Sequence, residues 1–163
     1  MLYTFQSEPS VIDFQKTQSA GHMTSRAARL FSRIADRKLK LIGMASGQLP
    51  VYYDLANGAQ LTQKALTEAA AVEQPTMAAT LSRMERDGLL RRTPDLKDKR
   101  SSLFSLTPAA LQHAALVRQI IDDGNHAALA GFSEAEQAAL LDMLNRIVAN
   151  LAGASASPKA PAK

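Results

Sequence analysis

Between residues 23 and 42 apolar side chains recur at intervals of three and four, through Met23, Ala27, Leu30, Phe31, Ile34, Leu41 and Ile42, with Arg26, Arg29, Arg33 and Arg37 between them. That period predicts a long amphipathic helix ending near Gly43 to Gly47. The pattern then breaks into shorter units. QLPVYYDLANG reads as a short helix stopped by Asn57 and Gly58. Thr62 caps a second, TQKALTEAAAV, whose stripe is Ala65, Leu66 and Ala69. In EQPTMAATLSRMERDGLL, Pro75 suits a first turn, and Met77, Leu81 and Met84 at i, i+4 and i+7 make a core face before Gly88 ends the helix.

At about 100° per residue, Thr76, Ala79, Thr80, Arg83 and Arg86 fall on the side away from that core face. Leu89 to Thr93 and Ser101 to Leu106 have strand propensity and flank the charged, turn-rich PDLKDKR, which predicts a β-hairpin. Thr107 before Pro108 opens a helix bearing Leu111, Leu116, Val117, Ile120 and Ile121. Ser133 with Glu136 three residues on is a capping box, and Leu140, Leu141, Leu144, Ile147, Val148 and Leu151 then form a wide stripe. The long first helix and the last two carry more apolar surface than the small central unit can cover, so a homodimer is expected.

A chain of 163 residues suits one domain, and 46% apolar with 5% aromatic residues suits a mainly α fold. The ends read differently from the middle: residues 1–21 as a partly ordered arm, 22–152 as the domain and 153–163 as a disordered tail. Residues 21 to 23, GHM, continue into the helical pattern and are kept as native. The net charge of +4 tolerates a polyanionic partner without requiring one. Its distribution says more: residues 22–40 hold six basic side chains against Asp36 alone, whereas Arg118 and Arg146 face five acids over 108–152.

The absence of cysteine excludes disulfides, thiolate metal sites and thiol-based sensing. His22, His113 and His126 are too scattered for a metal set, so no metal or other cofactor is expected. Neither a nucleophile–base arrangement nor a glycine-rich phosphate loop is present, and the enzyme reading is set aside. No apolar run approaches the length of a membrane span, and no leader pattern opens the chain, which makes a cytoplasmic protein the expectation.

A short helix, a tight turn, a second helix with a small polar outer face and a charged hairpin form the order of a winged helix-turn-helix. Asp98, Lys99 and Arg100 followed by SSLFSLT resemble the Asp-x-Arg wing signature and Leu-x-Leu-Thr ending of the MarR (multiple antibiotic resistance regulator) family. LTQKAL, MERDGLLRR and SRAARLFSRIADRKL also resemble it in the same order, over about residues 20–152.

The resemblance implies a homodimeric regulator built from dimerisation helices (22–47 and 108–152) and a DNA-binding lobe with its wing (48–107). Double-stranded DNA is then the partner, a pseudo-palindromic operator the site, and repression relieved by a small aromatic or anionic effector the expected behaviour. Thr62, Gln63, Gln74, Thr76, Ala79, Thr80, Arg83, Lys97, Asp98, Lys99 and Arg100 are the candidate DNA-binding residues. Arg100 would enter the minor groove, and Asp98, two positions away on an extended segment, would aim its guanidinium. Arg83 reads equally well as an ion pair to the hairpin. His22, Arg26, Met44, Tyr52 and Tyr53 border the expected effector cleft, where ordinary packing is an equal alternative. A dimeric helical module binding protein or ligand without DNA is the alternative function, and a solvated loop with weak ion pairs is the plain reading of the charged hairpin.

Overall fold

The computed structural model describes residues 18–156. The expectations for residues 1–17 and 157–163 lie outside the described residues. The described residues form two compact units that divide between Ile120 and Ile121.

In the first unit, α1 (Ala20–Leu39) starts two residues before the expected boundary, because the Ser19 hydroxyl accepts the His22 N–H at 3.2 Å and caps it. Only Ala35 and Leu39 of this helix are buried. Two 3-10 turns, Lys40–Ile42 and Ser46–Gln48, follow, separated by Gly43 at φ 71°, a left-handed backbone open to glycine. Asp36 ties helix to turn, its Oδ1 accepting the Ser46 N–H at 2.6 Å. The buried Gln48 accepts the Ala45 N–H at 3.0 Å.

Next come α2 (Leu49–Leu55), β1 (Leu61–Thr62), α3 (Gln63–Ala70), α4 (Gln74–Arg86), β2 (Leu90–Pro94), β3 (Ser102–Leu106) and the start of α5 (Pro108–Ala128). Leu39, Val51, Tyr52, Leu55, Leu66, Leu81, Met84 and Phe104 form the core, each at most 2% exposed. Full burial of one such side chain stabilises by roughly 1.5–3 kcal/mol, so these eight decide how the lobe packs. Thr107 closes it: its hydroxyl donates to Gly88 O at 2.8 Å and accepts the Ala110 N–H at 3.2 Å, fixing the start of α5 to the end of α4.

The sheet has three antiparallel strands in the order β1-β3-β2, one more than the expected hairpin. Leu61 pairs with Phe104 and Thr62 with Leu103. A two-residue strand shows no alternation, so only the partner reveals it.

In the second unit α6 (Glu134–Ala156) begins with the expected capping box: Ser133 N donates to Glu136 Oε2 at 2.8 Å, and Glu136 N to Ser133 Oγ at 3.3 Å. The helix runs four residues into the segment expected to be a disordered tail. Alanine, the best helix former, stands at 152, 154 and 156 and carries the backbone past Gly153. No described side chain of α6 is buried, and Leu141, Met143, Val148 and Leu151 are each at least half exposed.

Candidate nucleic-acid interface

Thr62 opens α3 by accepting the Ala65 N–H on its hydroxyl at 3.2 Å. The helix ends on Ala71, whose φ of 50° makes the tight turn into α4. Gln63 donates from Nε2 to Gln74 Oε1 at 3.0 Å and so links the first residues of the two helices. Their positive N-terminal ends therefore lie side by side.

Met77, Leu81 and Met84 bury one face of α4, as their spacing predicts. Gln74, Thr76, Ala79 and Arg83 are exposed on the other, with Thr80 half-buried. The Thr80 hydroxyl donates to Thr76 O at 3.0 Å, so it presents an acceptor outward. The face that remains is short in side chain until Arg83.

The arginines around that face divide. Arg86 donates from Nε to Asp87 Oδ1 at 2.9 Å, and that contact holds its guanidinium above its ordinary pKa. Arg92 reaches from β2 to Glu85 Oε2 at 3.3 Å and lies 4.9 Å from the Phe104 ring centroid. Arg83, by contrast, has no ion pair among the described residues. The helix-to-hairpin tie considered for Arg83 is thus made by Arg92. Sequence reasoning missed this brace, because the meeting of Glu85 with Arg92 depends on how β2 folds back after Gly88.

The wing strands pair from Leu90 with Leu106 to Pro94 with Ser102. Between them, Asp95 N donates to Ser101 O at 3.2 Å and closes the loop base. Asp95 Oδ1 accepts the Lys97 N–H at 2.8 Å, and Asp98 Oδ1 accepts the Arg100 N–H at 3.0 Å. Two successive Asx turns therefore shape the tip, a role that aspartate fills by mimicking a backbone turn. This corrects the extended reading of Asp98 and Arg100. Ser101 N bonds back to Asp98 O at 2.9 Å, the segment is a turn, and the carboxylate holds the Arg100 backbone and not its guanidinium. Lys97, Asp98, Lys99 and Arg100 are all exposed.

The five effector candidates do not form one cluster within the first unit. His22 and Arg26 sit in the first two turns of α1, and at a rise of about 1.5 Å per residue His22 is roughly 25 Å from the Leu39 end that leads to Met44. Met44 is buried at 4% exposure, whereas Tyr53 is 65% exposed. Tyr52 is 2% exposed, its hydroxyl has no hydrogen-bond partner among the described residues, and burial pushes its phenol pKa up. Among the described residues no three His, Asp or Glu side chains stand together as a metal set, and no helix is long and apolar enough to cross a membrane.

Residues 47–102 match the model of the MarR family. An uncharacterized HTH-type transcriptional regulator of Bacillus subtilis, YwoH, is 35% identical over 89 residues, a stretch that covers 55% of this chain and 64% of YwoH. The transcriptional regulator PcaV of Streptomyces coelicolor, solved in complex with its natural ligand, superposes with a TM-score of 0.75 at 25% identity, covering 85% of this chain and 97% of PcaV. A mutant MarR of E. coli complexed with operator DNA gives 0.71 at 20% identity over 78% of this chain and 91% of that one, a likeness of fold. Together with the three-stranded wing, these matches describe a mainly α winged helix-turn-helix.

Proposed function

Because this chain carries a MarR-family winged helix domain over residues 47–102, we infer that it is a transcriptional regulator that binds duplex DNA through α4 and the wing. The observation that carries the reading is the division among the arginines. Arg86 and Arg92 are occupied within the fold, while Arg83 stands unpaired on the exposed, short-side-chain face of α4. The major groove is about 12 Å wide and admits one helix, and Thr76 and Ala79 are short enough to let its backbone approach base edges. Gln74 and Arg83 then reach bases or phosphates, with Thr62, Gln63 and Thr80 near the backbone. Lys97 and Lys99 add phosphate contacts, and Arg100 enters the minor groove, where a narrow groove concentrates negative potential.

The regulator acts as a homodimeric repressor. Met23, Leu30, Phe31 and Ile34 on α1, and separately Leu141, Met143, Val148 and Leu151 on α6, leave apolar surface that a monomer would expose to water. Two copies present two α4 helices to half-sites about one helical turn, roughly 34–36 Å, apart. A small aromatic or anionic effector relieves repression by binding one arrangement of the lobes better than the other. The unpartnered, buried Tyr52 hydroxyl supports a ligand beside α2, and the relative crystallised with its natural ligand supports the mode of control.

Selection of bound sequences from a random duplex pool tests the reading. The expected result is enrichment of an inverted repeat with half-sites one turn apart. A single ungapped half-site, or no enrichment, would remove the dimeric operator.

A further inference from the structure

Arg26, Arg29, Arg33 and Arg37 on α1, with Lys40 at the start of the 3-10 turn that continues it, fall within roughly 80° of arc, in a stripe about 21 Å long. All five are exposed, and none has an ion pair among the described residues. The one carboxylate beside them, Asp36, is bound to the Ser46 N–H. Ala28 and Ser32 are small, which leaves a shallow groove of about 660 Å³ along Arg29, Arg33, Arg37 and Lys40. Like charges three and four positions apart destabilise a helix, so this spacing carries a cost within the free chain.

We propose that this face of α1 is a second phosphate-binding surface, one that takes the sugar-phosphate backbone of duplex DNA outside the stretch read by α4 and the wing. It rests on the reading that the chain binds DNA. The length of the stripe selects the partner. A strand carries one charge per about 3.4 Å of helix axis, so 21 Å faces about six phosphates, whereas a free di- or triphosphate fills only part of it. Four of the five cations are arginine, whose planar fork matches phosphate oxygens in pairs. The acids of a second copy are a poorer match. Of the five acids over 108–152, Asp142 is paired with Arg146 at 3.8 Å, Glu136 is held by Ser133, and Asp122 and Asp123 take part in interactions of their own, which leaves Glu134 against five cations.

The test is the full-length triple variant Arg29→Gln, Arg33→Gln, Arg37→Gln, compared with wild type on two duplexes sharing one central selected site. One is about 20 base pairs, two helical turns, and the other about 60. On the long duplex the log-log salt slope of the variant should be shallower by up to about five units, at about 0.9 for each phosphate no longer neutralised by the six arginines removed from a dimer. On the short duplex the two proteins should agree. Equal slopes on the long duplex, with Arg100→Ala still reducing the slope, would overturn the proposal and leave the winged-lobe reading standing. Unchanged slopes with tripolyphosphate binding abolished in the variant would overturn it in favour of a free anion. Unchanged slopes with a lower dimer mass in sedimentation would overturn it in favour of a second copy. Absence of wild-type binding to either duplex would remove both readings together.

Discussion

Arg92 is held between Glu85 at the end of α4, with Nη2 to Oε2 at 3.3 Å, and the face of Phe104 on the central strand, 4.9 Å from the ring centroid. One side chain thus bridges α4 and the wing. The ion pair is half exposed, so its worth is at most about 1 kcal/mol, with the ring adding about 0.5–1. Arg92→Ala should lower the urea unfolding free energy by about 1 kcal/mol, while Arg91→Ala, exposed on the same strand, should change it by less than about 0.5. Equal effects of the two would remove the brace.

Arg83 should behave in the opposite way. Arg83→Ala should leave the unfolding midpoint within error and weaken binding to a selected duplex by about 1–3 kcal/mol if its contact is to a base. A stability loss as large as that of Arg92→Ala would mean that Arg83 is structural after all.

Asp98 offers a test of how the wing is shaped. Its Oδ1 accepts the Arg100 backbone N–H, a job that an amide oxygen performs as well. Asp98→Asn should therefore keep most of the DNA affinity and Asp98→Ala should lose some of it. If the carboxylate acted by charge on the Arg100 guanidinium, the two substitutions would be equally damaging.

The α6 capping box carries a pH signature. Hydrogen bonds from the Ser133 N–H and hydroxyl hold the Glu136 carboxyl below its ordinary pKa. A depressed folded pKa gives stability that is complete above the unfolded value, about 4.3, and lost as pH falls through the lower folded value. Glu136→Gln should flatten this part of the acid dependence of unfolding measured by circular dichroism. An unchanged acid limb in that variant would contradict the assignment.

Leu81, fully buried in the middle of α4, reports on the core beneath the interface. Leu81→Ala should cost about 2–5 kcal/mol in chemical denaturation. A loss below about 1 kcal/mol would show that the α4 core face is wrongly identified.

The residues differ in how far their sequence betrayed them. Met77, Leu81 and Met84 were legible because apolar positions at i, i+4 and i+7 keep to one face of a helix over two turns. Thr107 with Pro108, and Ser133 with Glu136, were legible because capping is local chemistry. What escaped was whatever depends on a partner distant in the chain. β1 is two residues that become a strand only beside Leu103 and Phe104, and Arg92 finds Glu85 only after the chain reverses at Gly88. The wing tip misled for another reason: Asp98 and Arg100 at i and i+2 suit an extended segment and an Asx turn equally, and the closure at Asp95 and Ser101 selects the turn. Adjacent tyrosines make the same point about faces, since Tyr52 is buried and Tyr53 exposed.

The central claim, that α4 and the wing together grip duplex DNA, is tested most directly by the association constant for the selected duplex measured across a salt series, for wild type and for the Arg83→Ala, Arg100→Ala double variant. Wild type should show a steep negative log-log slope, and the double variant weaker binding with a slope shallower by two to four units, at about 0.9 for each phosphate that the four arginines removed from a dimer neutralise. A nearly flat wild-type slope, or a double variant that binds like wild type at every salt concentration, would contradict it.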